Sequence, residues 1–246
     1  MRSIKLVIGF IGTRFEGWQS QKKGKTLQEL FERTLSRILK EKIQVTSSSR
    51  TDSGVHAKAL VAHFRTSSAL HDERIQKALN FYLPRDVVVY QAKTVTAKFH
   101  ARFSAVSKIY RYSIWNSPTR PLFEEATVLW LPQKLDLAAM KRAAPHIKGR
   151  HDFSSFVDQD PGNPDRSKVR SIKKIHIQRK DCRIDITVEG DGFLRHMVRI
   201  IAGTLIEVGK GRLTPSSIPK IIAAQDRRQA GPTAKAKGLT LLRVRY

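Results

Sequence analysis

Apolar residues recur along this 246-residue chain in two periods, and this pattern constrains the fold more than any other feature. The period of two that is typical of a strand appears in residues 4–10 and 184–188. The helical period begins after Thr26, which has capping-box spacing with Glu29, and returns from about Phe193. We therefore expect an α+β fold. Further elements are predicted as a helix beginning at Thr214–Pro215 and as strands at Leu60–Arg65, Val87–Thr94, Lys108–Trp115, Ile172–Gln178 and Leu239–Tyr246.

The predicted elements follow a similar order twice, although the sequence itself does not repeat. This order indicates two α+β halves around a central cleft, which we place at residues 1–104 and 105–246. A loop rich in Pro and Gly is predicted at Asp158–Lys168. The basic residues that end or follow this loop are candidates for phosphate contacts: Arg166, Lys168, Arg170, Lys173 and Lys174.

The chain is strongly basic. Its 46 Lys and Arg residues against 21 Asp and Glu give a formal charge of +25 and a pI near 10.6. The usual partner of such a charge is a polyanion, above all nucleic acid, although a generally solvated basic surface is the open alternative. No apolar run is long enough to favour a membrane, and the first residues alternate like a strand rather than a signal peptide. With one cysteine, Cys182, no intrachain disulfide can form, and we expect a cytoplasmic protein.

Motifs for common cofactors are missing from the sequence. It contains no GxxxxGK[ST], no dinucleotide-type GxGxxG after a strand, no HExxH and no CxxC. The eight histidines show no metal-ligand spacing and are interpreted as core or surface residues. We therefore expect a reaction, if there is one, to proceed without a metal or a diffusible cofactor.

Three segments carry candidate site residues. In the first, SRTDSGVHA, a loop between two strands could present Asp52 to a cleft with Arg50 beside it, but an ordinary Asp–Gly turn fits the spacing equally well. In the second, Tyr110 shares a strand face with Tyr112 and could stack on a base, although tyrosines are also ordinary strand residues. In the third, GFLRHMVR, two arginines four residues apart are predicted on one face of a helix near its amino end. Because a helix dipole disfavours cations at that end, an anionic partner is expected for Arg195 and Arg199, either a carboxylate or RNA phosphate.

Together these segments resemble the TruA family of tRNA pseudouridine synthases. SRTDSGVHA is similar to the catalytic loop of that family. The other similar blocks follow in the family's order: FEGWQSQ, ALN, FHARFSA with KIYRY, HDFSSF, GFLRHMVR with Gly203, and AGPTAKAKGL. Two departures are visible, since Ile11 stands where the family usually has Asp and Lys235 where it often has Pro.

The resemblance implies a role for four residues. Asp52 matches the family's essential aspartate, and Arg50 the arginine that helps to hold the flipped-out nucleotide. Tyr110 matches the tyrosine that stacks on the target base, and Arg199 the helix arginine that pairs with the aspartate. A pseudouridine synthase fold is implied, with mainly antiparallel sheets around a basic cleft. The Asp52 loop belongs to the first half, and Tyr110 and Arg199 to the second.

The resemblance also implies substrate and assembly. It predicts isomerisation of uridine at positions 38, 39 and 40 in the anticodon arm of tRNA, by a homodimer that needs no cofactor. Two alternatives remain at this point: a non-catalytic RNA-binding protein on the same scaffold, and another cofactor-free RNA enzyme such as a nuclease.

Overall fold

A computed structural model of the protein describes residues 1–21, 24–158 and 167–246. The described residues form ten β-strands and five α-helices, with mostly antiparallel strand pairing, so the predicted mixed class is confirmed. They fall into two compact units, Met1–Val106 with Thr240–Tyr246 (unit 1) and Ser107–Leu239 (unit 2). The predicted assignment of roles to residues 1–104 and 105–246, and the basic cleft, stay predictions.

Unit 1 is a sheet with two helices. Strand β1 pairs with β3 and β4, both antiparallel, and β3 also pairs with the short β2 and, in parallel, with β10. The elements are β1 (Arg2–Phe10), α1 (Leu27–Leu39), β2 (Thr46–Ser47), β3 (His56–Thr66), α2 (Asp72–Tyr82), β4 (Val87–Val95) and β10 (Leu239–Arg245).

The core of unit 1 follows the predicted periods. Alternate side chains of β1 are fully buried, as are those of α1 at the helical spacing: Ile4, Leu6 and Ile8 on β1, and Leu27, Phe31 and Leu35 on α1. The predicted capping box at Thr26 is wrong, because its side chain makes no capping hydrogen bond. Instead the first N–H groups of α1 are satisfied by main chain, since Leu27 donates to the carbonyl of Gly17 and Gln28 to that of Trp18.

Unit 2 contains five of the described strands and three helices. Its strands are ordered β5–β9–β8–β7 in antiparallel pairs, and β6 pairs in parallel with β5. The elements are β5 (Ser107–Asn116), β6 (Leu129–Leu131), α3 (Leu137–Ala143), β7 (Gly149–Asp152), β8 (Val169–Lys180), β9 (Arg183–Gly190), α4 (Met197–Gly209) and α5 (Ser217–Ala224). Every residue of α4 except Arg199 is buried, which makes this helix the core of the unit.

Two helices begin later than predicted. Helix α4 begins at Met197 rather than near Phe193, because His196 has a left-handed backbone (φ 59°) that an α-helix cannot include. Arg195 therefore precedes the helix, and the prediction that it shares a helical face with Arg199 is wrong. Helix α5 begins at Ser217, whose N–H donates to the carbonyl of Thr214 and closes a turn before the helix.

The predicted loop at Asp158–Lys168 falls largely on residues 159–166, which lie outside the described residues, as does Arg166 of the basic run. Of that run, Arg170, Lys173 and Lys174 lie on β8, and both lysines are exposed. Within the described ranges, each helix is too short or too polar to cross a membrane.

Candidate active site

Asp52 lies on the connection between β2 and β3 in unit 1. Its side chain is half-buried, whereas Arg50 is exposed and Thr51 between them is buried. Gly54 has φ 76°, which permits the turn that follows Asp52. Val55 donates its N–H to the Asp52 carbonyl over 3.2 Å and closes that turn. The loop therefore does contain an Asp–Gly turn, and Asp52 is its first residue.

The segment 12–18 holds this loop in place. Trp18 donates its N–H to the Thr51 carbonyl over 3.1 Å, and Gly54 donates its N–H to the Phe15 carbonyl over 3.2 Å. Main-chain hydrogen bonds therefore flank Asp52 on both sides. The Trp18 ring stacks on Phe31 of α1 at 5.9 Å, which links the loop's support to the helical layer. Because these main-chain bonds restrict the loop, the backbone at Asp52 has a defined position.

Two glycines make this close approach possible. A Cβ on Gly17 would lie 2.5 Å from the Thr51 carbonyl oxygen, and Gly17 also has φ 88°. A Cβ on Gly12 would lie 1.9 Å from the Val55 carbonyl oxygen. Gly12 donates its N–H to Nδ1 of His56 over 2.9 Å, and His56 is buried. His56 is thus a core residue, as its interpretation from sequence predicts. Ile11 is partly exposed, and its N–H donates to the Asp86 carbonyl.

Tyr110 lies on β5 of unit 2, opposite Val188 of β9. Its ring is buried and meets the ring of Phe193 edge to face, with 5.1 Å between centroids. Tyr112 is buried on the same strand face, whereas Arg111 points to the other side and lies 3.8 Å from Asp185. The prediction that the two tyrosines share a strand face is confirmed.

The Tyr112 hydroxyl is a structural donor. It donates to the Lys235 carbonyl over 2.8 Å, and burial raises the pKa of this hydroxyl although the Arg199 charge opposes the rise. The hydroxyl is therefore neutral at all ordinary pH values. This contact joins β5 to the segment 230–235. The effect of the Arg199 charge on the Tyr112 pKa indicates that Arg199 lies near this tyrosine.

Arg199 is anchored in the first turn of α4. Its Nε donates to the Ala234 carbonyl over 2.8 Å, and its own carbonyl accepts the N–H of Ala234 over 3.2 Å. The residue is half-buried. Because a guanidinium is planar, the hydrogen bond from Nε also orients the other two nitrogens. This orientation suits a bidentate contact with a carboxylate or a phosphate.

The segment 230–234 packs directly on α4. A Cβ on Gly203 would lie 1.8 Å from the Pro232 carbonyl oxygen, and one on Gly231 would lie 2.6 Å from the Thr204 main chain. Gly231 donates its N–H to the Thr204 hydroxyl, which is fully buried, over 2.9 Å. The similar blocks around Gly203 and in AGPTAKAKGL thus form one support for Arg199.

Asp158 connects this support to the start of α4. Its carboxylate accepts hydrogen bonds from Nδ1 of His196 at 2.7 Å, Nε of Arg227 at 2.9 Å and the Thr233 hydroxyl at 3.1 Å. Burial alone would raise the pKa of the Asp158 carboxyl, but these three donors and the Arg227 charge lower it below the ordinary value. Sequence reasoning missed this network, because His196, Arg227 and Thr233 are far from Asp158 in the chain and no short motif relates them.

The site residues occupy separate units. Asp52 and Arg50 lie in unit 1, and Tyr110 and Arg199 in unit 2. Within unit 2, Tyr110 shares a strand face with Tyr112, and the charge of Arg199 acts on the Tyr112 hydroxyl. The ion pair between Asp52 and Arg199 stays a prediction. Among the described residues, no three His, Cys, Asp or Glu side chains are grouped to hold a metal ion.

Comparison with known proteins identifies the class. A sequence model of the family described as tRNA pseudouridine synthase matches residues 6–104 and 143–246. The chain belongs to this family. Proteins named tRNA pseudouridine synthase A align with all of the chain over their own full length, at 46% identity in Ruminiclostridium cellulolyticum, 42% in Acetivibrio thermocellus and 39% in Geobacter sulfurreducens.

Proposed function

We propose that this protein isomerises uridine to pseudouridine at positions 38, 39 and 40 in the anticodon arm of tRNA, with Asp52 as its essential carboxylate. The observation that carries this proposal is the family match, which includes the Asp52 loop and the α4 segment in one chain. The rigid main-chain support of the Asp52 loop adds to it, since a catalytic group needs a fixed position.

The chemistry requires little beyond one carboxylate. In the net reaction the bond between C1′ of the ribose and N1 of the base breaks, and a bond between C1′ and C5 forms. The base loses a proton at C5 and gains one at N1, so atoms and electrons balance without an oxidant. Asp52 would act as nucleophile or as base, and both roles suit a half-buried carboxylate.

The other site residues would handle the base and the charge. A stacked base must leave the helix to be reached, which costs a few kcal/mol. Exposed Arg50 beside Asp52 would hold the flipped-out nucleotide, and Tyr110 would receive the base on its ring. Arg199, fixed through Ala234, would pair with Asp52 and keep it ionised. The +25 charge would bind the phosphates of the arm.

We also propose that the protein is a cytoplasmic homodimer, an assembly that the family resemblance implies. Light scattering coupled to gel filtration tests the assembly, since a mass of one chain, 27.9 kDa, at working concentration would contradict it.

Incubation of the purified protein with unmodified tRNA tests the function. We expect pseudouridine in the anticodon arm and intact RNA. Strand cleavage would instead indicate a nuclease. Binding without altered nucleosides would indicate an RNA-binding protein that lacks catalysis.

A further inference from the structure

Unit 1 contains a cavity of about 490 Å³ away from the Asp52 loop. Four of the side chains that line it carry or can carry a positive charge: Lys42, His63, Arg65 and His100. None of the described residues that line it is acidic. A concave site whose charged side chains are all cationic is a candidate for an anion.

The pairing of β2 with β3 brings these cationic residues together. Residues 42–47 alternate in burial, so that Lys42, Gln44 and Thr46 are exposed and the residues between them are buried. Thr46 pairs directly with His63 on β3, and Arg65 lies two residues further on the same strand face. Lys42 and Arg65 are both exposed, so each can move to meet a ligand.

Two histidine rings form the inner wall. Nδ1 of His100 accepts the N–H groups of Arg102 and Phe103 at 3.2 and 3.1 Å, and Nδ1 of His63 accepts that of Ala101 at 3.2 Å. In a neutral ring the proton is then on Nε2, which makes Nε2 a donor in both residues. The main chain of Thr46 also forms a hydrogen bond with the His63 ring. His100 also lines the cavity, and its ring centroid lies 4.9 Å from that of His63, so its Nε2 can donate to a ligand there.

The positive charge here has no acidic counterpart on the cavity wall. Burial lowers the pKa of the His63 ring, and the charges of His100 and Arg65 lower it further. The neighbouring Glu41 is not among the described residues that line the cavity, and its carboxylate accepts hydrogen bonds from the hydroxyls of Thr66 and Ser67 at the end of β3. An anion in the cavity would relieve this repulsion.

We propose that this cavity binds a phosphate group through Lys42, Arg65 and His100, and that the group is a backbone phosphate of the RNA. The assignment of this group to RNA rests on the proposed function. Lys42 supplies a mobile point charge, Arg65 a planar pair of donors, and His100 a fixed donor, which together suit the oxygens of a phosphodiester. The volume exceeds that of one phosphate and leaves room for the sugar attached to it.

The first test compares two double variants that remove the same charge. Lys42→Ala with Arg65→Ala changes the cavity, whereas Arg74→Ala with Lys77→Ala removes two exposed cations from α2. We expect the cavity variant to raise the Kd for tRNA about tenfold or more. The slope of log Kd against log salt should fall by about 2, as for two lost phosphate contacts. Equal Kd and equal slope in the two variants would overturn the proposal.

The second test separates RNA from free phosphate. The ring resonances of His63 and His100 are followed by NMR during titration with inorganic phosphate and, separately, with chloride at equal ionic strength. We expect phosphate alone to shift them. No shift would overturn the site. A shift with phosphate but no specific loss of tRNA affinity in the cavity variant would overturn the RNA assignment. Pseudouridine formation by the unchanged protein is measured separately, so a failure of the proposed function is recognised independently of the cavity.

Discussion

Arg199 is fixed by its main chain and its side chain together, since both bond to Ala234. We expect Arg199→Ala to reduce turnover by about 10²–10³-fold, the usual cost of losing one oriented charge in a site. Arg199→Lys should restore part of it, because the cation returns without the planar fork. The matched control is Arg195→Ala, which removes an exposed arginine just before α4. Equal losses in the Arg195 and Arg199 variants would contradict the assignment.

The predicted pair of Asp52 and Arg199 is tested by a double-mutant cycle on turnover. If the residues act together, the double variant Asp52→Asn with Arg199→Ala should be little worse than either single variant. Simply additive losses would show that they act independently.

Asp158 provides a prediction on pH. Its pKa is lowered by His196, Arg227 and Thr233, which outweigh burial, so its contribution to stability is present above about pH 4 and is lost as pH falls through the lowered pKa. Asp158→Asn should lower the free energy of unfolding near neutral pH by about 1 kcal/mol, a modest value because the carboxylate is 32% exposed. Denaturant unfolding of both proteins at several pH values measures this. A difference that stays constant into strong acid would refute the electrostatic account.

At the scale of elements, strong periods predicted most of the fold. All the predicted strands lie within observed strands or overlap them, and on β1 the alternate apolar side chains are buried. Helix α2 was missed although Ile75 and Leu79 are buried at helical spacing, since an 11-residue helix with few apolar positions gives a weak signal. The start of α4 could not be predicted, because the left-handed His196 is held by tertiary contacts with Asp158.

At the scale of elements, we predict the effect of replacing Gly203 on stability and turnover. A Cβ there would collide with the Pro232 carbonyl oxygen, so Gly203→Ala should displace the segment 230–234 from α4. We expect a loss of about 1–3 kcal/mol in unfolding free energy, despite the better helix propensity of Ala, and lower turnover because Ala234 no longer positions Arg199. Gly192→Ala is the control, since its Cβ would meet nothing closer than 3.6 Å. A stabilised Gly203 variant would contradict this packing.

At the scale of the whole molecule, the net charge predicts how the affinity for tRNA depends on salt concentration. If RNA phosphates neutralise the basic surface, log affinity for tRNA should fall linearly with log salt concentration. With six or more contacts we expect a loss of about 10³-fold between 50 and 200 mM salt. Filter binding or fluorescence anisotropy measures it, and a flat salt dependence would mean that the +25 charge serves another purpose.

The candidate site residues could be predicted from the sequence, whereas the contacts that hold them in place could not. Asp52, Tyr110 and Arg199 lie in short blocks that resemble a family. Gly12 and Gly17 were not predicted to matter, because the need for glycine arises only where two distant segments approach. The Asp158 network is likewise a product of tertiary contacts between residues far apart in the chain.

The central claim is that the Asp52 carboxylate performs the isomerisation, and Asp52→Asn tests it most directly. The change keeps the size of the side chain but removes its charge and its nucleophilic or basic oxygen. Pseudouridine at positions 38–40 of tRNA is quantified by mass-shift mapping after incubation with each protein, together with tRNA affinity and unfolding midpoint. We expect turnover below about one hundredth of the unchanged protein, with affinity and stability nearly intact. Turnover above that level in a folded, tRNA-binding variant would contradict the account.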